Sequence, residues 1–458
     1  MLFHTWNFLL FFVITYFVYL CLRRTRYHLH WLLICSYFFY GWWNPLYLLL
    51  IAYSTALDFF VVNRMENSNH KKRWLIASIV NNLLLLGFFK YGGFVTDNLN
   101  GFLSAVHAPF GIPAPGILLP VGISFYTFQS MSYTIDFYRG TIARERSFVR
   151  FAAFVALFPQ LVAGPIERAA NLLPQLHGRP KICSKDLADG ASLFIVGLFK
   201  KIALADYLAL YVDPIYAMPD HADGLSLALA TFAFGWQIYF DFSGYTDMAR
   251  GVARMLGLRL MINFNNPYLA TGLGDFWHRW HISLSTWFRD YVYIPLGGNR
   301  RGPRAICRNL LITMLLCGLW HGAAWTFVIW GALHAIGMIA TRKLERSRFY
   351  IDRVPRFVKQ WVVFGFVSFA WIFFRAENLG DATTIVTRIC TAGWSDPRLP
   401  LLAAVICLAI WMYQFICESR ARRMLEVAPV KIGLVVAMVL YIAIMGGAGS
   451  SPFIYFQF

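Results

Sequence analysis

The stretch "FWHRWHISLSTWFRDYVYIPLGGNR", Phe276–Arg300, gathers two histidines, three tryptophans and three arginines in a chain that is otherwise apolar. Imidazole, with an ordinary pKa near ~6.5, can take up and return a proton at neutral pH. A second stretch, "GLWHGAAWTFVIWGALH" (Gly318–His334), places His321 within an apolar run. Counted from a helix start near Ile306, His321 lies roughly 20 Å along the helix at about 1.5 Å per residue. An ionisable side chain at that depth points to function unless it is a neutral histidine bonded to a neighbouring helix. Gly318 and Gly322 leave the imidazole unscreened, although close helix packing also explains small residues there.

The first stretch needs a positioned helix. Leu273-Gly274-Asp275 reads as a helix start with Asp275 as N-cap. On that helix His278 and His281 share a face, with Trp277 and Ser285 flanking His281 at four-residue spacing. Pro295 and Gly297-Gly298 end the regular structure. An interfacial helix whose tryptophans and arginines serve only as anchors fits the same composition. A His-x-x-His metal site needs further ligands, for which Asp275 and distant histidines are weak candidates.

The chain around these stretches is 58% hydrophobic and 14% charged, against about a quarter charged in soluble proteins. Apolar runs near the ~20 residues of a membrane span recur along it. We place spans at 5–22, 30–42, 45–63, 74–91, 117–137, 190–212, 224–249, 306–325, 327–341, 357–376, 399–417 and 432–448. The expected fold is an all-α polytopic membrane protein of about 11–12 spans with re-entrant or interfacial helices. It forms one domain, 1–458: peripheral helices 1–115, a core 117–376, and C-terminal helices 399–458.

Charge sets the orientation. The net charge of +18 concentrates in segments such as Arg64–Arg73, Arg139–Arg150 and Arg250–Arg308, whereas 92–116, 213–224 and 449–458 hold no Lys or Arg. That alternation follows the positive-inside rule, with both termini outside, and makes a nucleic-acid partner unnecessary. The positive charges Arg23, Arg24 and Arg26 follow the first apolar run, so it reads as a retained span rather than a cleavable signal. The eight cysteines suggest neither a disulfide framework nor a metal site. Phe148–Pro165, apolar between two basic segments, reads as buried or re-entrant. No internal repeat is visible, which counts against a proton-coupled transporter or exporter.

Together "RWHISLSTWFRDYVYIPLGGNR" and "GLWHGAAW" resemble the membrane-bound O-acyltransferase (MBOAT) family. "VGISFYTFQSMSYTIDFYRG", "FPQLVAGPIER", "GLFKKIALADYLA", "QIYFDFSGYTDMARG", "WIFFRAEN" and "SPFIYFQF" extend the likeness along nearly the whole chain, to the bacterial branch typified by the alginate O-acetyltransferase membrane subunit. The resemblance implies helices around a central tunnel and carries the family's two functional histidines to His281 and His321. His278 departs from the arginine of close relatives and drops out of the chemistry. Acetyl transfer would run from cytoplasmic acetyl-CoA, as substrate with no bound cofactor or metal, across a bacterial inner membrane. The acceptor would be an alginate-like polymer, cellulose, another exopolysaccharide or peptidoglycan. Short outer loops and the family together imply a periplasmic or membrane-anchored SGNH-like O-acetyltransferase partner with its own Ser-His-Asp chemistry. His321 is expected to be the general base, and His281 to orient the donor or polarise its carbonyl. Arg289, Arg300, Arg301 and Arg304 would form the donor's electropositive mouth, with Trp320 beside it. Asp241 and Asp247 would hold a histidine or the backbone. Tyr455, in the terminal aromatic motif, would relay the acyl group covalently.

Overall fold

The computed structural model describes the chain apart from residues 117–118, 162–163, 394–399, 426 and 446–458. Among the described residues every regular element is a helix. Tyr455 lies outside them. Among the described residues four helices are long and apolar enough to cross a membrane: Tyr47–Glu66, Lys71–Ala105, Arg356–Arg375 and Leu401–Glu418. Another expected span, the helix Ile123–Tyr138, is buried from Ile123 through Thr134 and is correspondingly richer in polar residues. The chain is a multi-pass membrane protein.

Two compact units are present, Met1–Phe194 with Ala249–Met261, and Ile195–Met248 with Ile262–Phe458. The first holds α1 (Trp6–Leu22), α2 (His28–Gly41), α3 (Tyr47–Glu66), α4 (Lys71–Ala105), α5 (Ile123–Tyr138), α6 (Phe148–Ala156), α7 (Phe158–Leu161) and α8 (Ala169–His177). Its centre is α6, where Phe151 through Ala156 have no exposed surface. Within the apolar 148–165 stretch, α6 and α7 thus form a largely buried helix pair, as the flanking charges implied. Buried Asp58 on α3 accepts from Ser78 Oγ at 2.5 Å, Asn82 Nδ2 at 3.1 and 3.0 Å, and Ser130 Oγ. Such donors meet the requirement that a buried carboxylate be hydrogen-bonded.

Helix α4 departs from expectation. It runs to Ala105, so 92–105, read as an outer loop, is helical. At about 1.5 Å per residue its 35 residues reach ~50 Å, well beyond a hydrocarbon core of ~30 Å. Hydropathy marks only the part in lipid. The polar extension satisfies its own backbone groups, with Thr96 Oγ1 and Asn98 Nδ2 donating to the carbonyls four residues back at 2.8 and 2.7 Å.

Helix α9 (Ser184–Phe199) leads through a π-helical turn, Lys200–Ala205, into α10 (Asp206–Ala217), followed by α11 (Gly224–Met255). The second unit continues with α12 (Leu273–Arg279), α13 (Ile282–Phe288), a π-helical turn Arg289–Tyr293, α14 (Gly302–His321), α15 (Trp325–Leu344), α16 (Arg348–Arg353), α17 (Arg356–Arg375), α18 (Leu379–Thr391), α19 (Leu401–Glu418), α20 (Arg422–Leu425) and α21 (Ala428–Met445). Helices α14 and α15 form a tight hairpin. A Cβ at Gly331 would lie 2.3 Å from the Met314 carbonyl oxygen, and one at Gly318 would lie 2.2 Å from that of Phe327. The glycines therefore serve close helix approach.

Candidate active site

The helix expected to carry both His278 and His281 is broken between them. Helix α12 starts after Gly272, so Asp275 is not the N-cap. It sits in the first turn, accepting from Thr271 N–H at 3.2 Å and Arg279 Nε at 2.7 Å. The helix ends at Trp280, whose backbone is extended, and His281 takes a left-handed conformation with φ +42° and ψ +54° before α13 begins. His278 is exposed while His281 is fully buried, so the two share no face and the His-x-x-His metal pattern dissolves. A non-glycine residue held at positive φ costs of order 1–3 kcal/mol, and such residues cluster at functional sites.

Asn263 holds the break together. Its carbonyl oxygen accepts from Ile282 N–H at 2.9 Å, and nearby Asn265 N–H donates to the Arg279 carbonyl at 2.9 Å. These bonds engage groups that the interrupted helices cannot serve. The Asn263 side-chain oxygen accepts from Ser283 N–H at 3.1 Å and Ser283 Oγ at 3.0 Å. A backbone N–H can only donate, so the amide atom facing it is oxygen. His281 Nδ1, 3.2 Å from that same oxygen, must then be the donor. The neutral ring consequently carries its lone pair on Nε2. His281 lies between short helices rather than in a membrane-spanning one, and its complete burial holds the imidazole well below its ordinary pKa. Phe242 packs edge-on to it at 4.7 Å.

His321 is the last residue of α14, not a mid-helix residue. Because α14 begins at Gly302, His321 stands roughly 28 Å from the helix start at about 1.5 Å per residue. The chain turns there and returns as α15. The His321 ring is edge-on to Trp320, Trp330 and Phe374 at 5.0, 5.1 and 5.2 Å. Trp320 also faces His281 at 6.1 Å. One buried indole thus stands against both histidines.

The four arginines are exposed. Arg300, Arg301 and Arg304 follow one another into the first turn of α14, while Arg289 belongs to the preceding π-helical turn and pairs with Asp290 at 2.8 Å. Three contacts hold the loop beside them. Asn309 Nδ2 donates to the Gly298 carbonyl at 3.1 Å, while Tyr293 Oη and Arg342 Nη1 reach Asn299 Oδ1 at 2.7 and 3.2 Å. Cations at a helix N-terminus oppose the helix dipole, and an anion there would relieve that repulsion.

The two carboxylates expected to hold a histidine or the backbone each pair with a lysine. Asp247 pairs with Lys200 at 2.6 Å, and buried Lys201 lies between Asp241 at 2.9 Å and Asp206 at 2.8 Å. The quoted motifs "GLFKKIALADYLA" and "QIYFDFSGYTDMARG" carried that signal as opposite charges in two apolar runs. Asn263 and His334 were also missed. His334 is fully buried against Trp330 at 4.7 Å and Trp277 at 5.1 Å.

The described residues thus form a helical membrane protein with two buried histidines packed against one tryptophan. Residues 140–378 match the model of the membrane-bound O-acyltransferase family. The probable alginate O-acetylase AlgI of Azotobacter vinelandii is 44% identical over 81% of this chain and 74% of that protein. Its namesake in Pseudomonas putida is 38% identical over 95% of this chain and 96% of the relative. The peptidoglycan O-acetyltransferase of Helicobacter pylori is 36% identical over 78% of this chain and 72% of its own length. The chain belongs to the membrane-bound O-acyltransferase family and is an acyltransferase.

Proposed function

We propose that the protein moves acetyl groups from cytoplasmic acetyl-CoA across the bacterial inner membrane for O-acetylation of an extracytoplasmic polysaccharide. The observation that carries this reading is the placing of His281 and His321 against the same Trp320 indole. His321 acts as general base toward the attacking hydroxyl, help typically worth about 10²–10⁴-fold. His281 orients the donor by accepting an amide N–H at Nε2. With Nδ1–H committed to Asn263, polarising the carbonyl from Nε2 would need an imidazolium, which complete burial disfavours. Arg289, Arg300, Arg301 and Arg304 receive the donor's phosphates on the cytoplasmic side. Both termini face the periplasm. There Tyr455 takes the acetyl group: its phenolic oxygen attacks the thioester carbonyl, its proton passes to the base and on to the expelled thiolate, and the thiol leaves. An SGNH-like partner then carries the group to the polymer.

The alginate O-acetylases support an alginate-like or other exopolysaccharide acceptor. The Helicobacter pylori relative favours peptidoglycan as the second reading. The deciding experiment measures ester-linked acetate on glycan in cells expressing wild type, His321→Ala or His281→Asn, with membrane levels determined by blot. Asparagine tolerates the left-handed backbone, so His281→Asn removes the imidazole alone. Both variants should accumulate normally with acetate reduced at least ~100-fold. Wild-type acetate from His321→Ala would overturn the assignment. Trapped acetyl on the C-terminal peptide, lost in Tyr455→Phe, tests the relay.

A further inference from the structure

We propose that the crevice at the turn between α3 and α4 binds the phosphate-bearing headgroup of an anionic phospholipid. The crevice encloses about 540 Å³ and is lined by Phe60, Asn63, Arg64, Asn67, His70 and Trp74, among others. That volume falls within the ~300–1,000 Å³ of small-molecule sites. Its wall combines amide donors and a guanidinium with two aromatic rings, which stand edge to face at 6.2 Å.

Charge selects an anion. Arg64, Lys71, Lys72 and Arg73 crowd this turn, and none has a carboxylate partner among the described residues. Glu66, the lone acidic residue from 64 to 73, pairs with Arg144 at 2.9 Å. The Arg64 guanidinium lies over the Phe60 ring at 5.0 Å. The first N–H groups of α4 open on the same turn and add positive potential.

The surroundings select a lipid over a soluble anion. Only 17% of the most apolar window of α4 lies inside the protein. From Trp74 an exposed apolar stripe, Ile76, Val80 and Leu84, descends the helix at four-residue spacing. Acyl chains can follow that stripe while the headgroup occupies the polar crevice. An acidic peptide would match the charge yet leave the apolar stripe uncovered.

The test uses the full chain purified in neutral detergent, with lipid retention followed by native mass spectrometry and thermal unfolding. Phosphatidylglycerol should bind at least about tenfold tighter than phosphatidylcholine. Combined Arg64→Gln, Lys71→Gln and Lys72→Gln should abolish that preference while leaving unfolding in lipid-free detergent unchanged. These side chains are exposed, so folding is not at stake. Equal binding of the two lipids by wild type, or an undiminished preference in the triple variant, overturns the proposal. So does inorganic phosphate that competes as strongly as phosphatidylglycerol, because the site would then be one for free phosphate. Displacement of phosphatidylglycerol by an acidic peptide at micromolar concentration would overturn it in favour of a protein partner.

Discussion

His281 donates through Nδ1 to the side-chain oxygen of Asn263 at 3.2 Å, and Ser283 N–H, donating to the same oxygen, makes that direction unambiguous. A single amide therefore sets the tautomer of a buried imidazole and anchors its left-handed backbone. Asn263→Ala removes both restraints and should lower acetyl transfer about tenfold or more, at roughly 1.4 kcal/mol per factor of ten. Asn263→Asp keeps the acceptor but places a negative charge beside the ring, which raises the imidazole pKa. His281 must be neutral to accept at Nε2, so raising its pKa extends the inactive, protonated range to higher pH. The acidic limb of the rate profile should therefore move upward in Asn263→Asp. An unmoved limb would show that His281 does not need its lone pair.

Lys201 lies buried between Asp206 and Asp241. Lys201→Met leaves two buried carboxylates without their counter-ion, a change that costs about 3–5 kcal/mol. Little folded protein should remain in the membrane fraction. Adding Asp206→Asn and Asp241→Asn removes the charges altogether and should restore most of the protein, as assayed by thermal unfolding in detergent. If Lys201→Met alone unfolds normally, the ion cluster contributes nothing to stability.

Gly331 brings α15 against the Met314 carbonyl of α14. Gly331→Ala forces the hairpin apart and should cost about 1–3 kcal/mol, the range for overpacking. Because His321 ends α14, transfer should fall in the protein that remains folded. Gly433→Ala, on α21, meets nothing within 4 Å and serves as the control. Its unfolding temperature should match wild type.

Much of this fold is legible from hydropathy and charge alternation, because lipid demands apolar runs and the cytoplasmic face collects arginine. The buried α6–α7 pair shows in the basic segments flanking an apolar stretch. The break at Trp280–His281 does not show. Helical spacing assumes an unbroken helix, and histidine is not a residue that announces a left-handed turn. The conformation is bound instead to Asn263, eighteen residues away in sequence, a non-local cause that periodicity cannot register. Likewise the Lys200–Asp247 and Lys201–Asp241 pairs join two separate motifs, the first pair 47 residues apart in sequence. The sequence showed the charges without their partners.

Trp320 faces His321 and His281 with ring centroids 5.0 and 6.1 Å away. Both contacts are edge-to-face, the arrangement aromatic quadrupoles prefer, worth about 0.5–1.5 kcal/mol beyond burial. If the indole only fills space, Trp320→Phe should be nearly silent and Trp320→Ala should lower stability by about 3–5 kcal/mol. If it sets the separation of the two imidazoles, Trp320→Phe should already reduce kcat, because a smaller ring lets them shift, and small misplacements at a reacting centre cost up to ~10²-fold. We expect the second pattern: Trp320→Phe unfolding within a few degrees of wild type, with kcat reduced about tenfold or more and the KM for acetyl-CoA little changed. A rise in KM alone would instead make Trp320 part of the donor's binding surface, and the separation of the histidines would then rest on the α14–α15 hairpin and the Asn263 anchor.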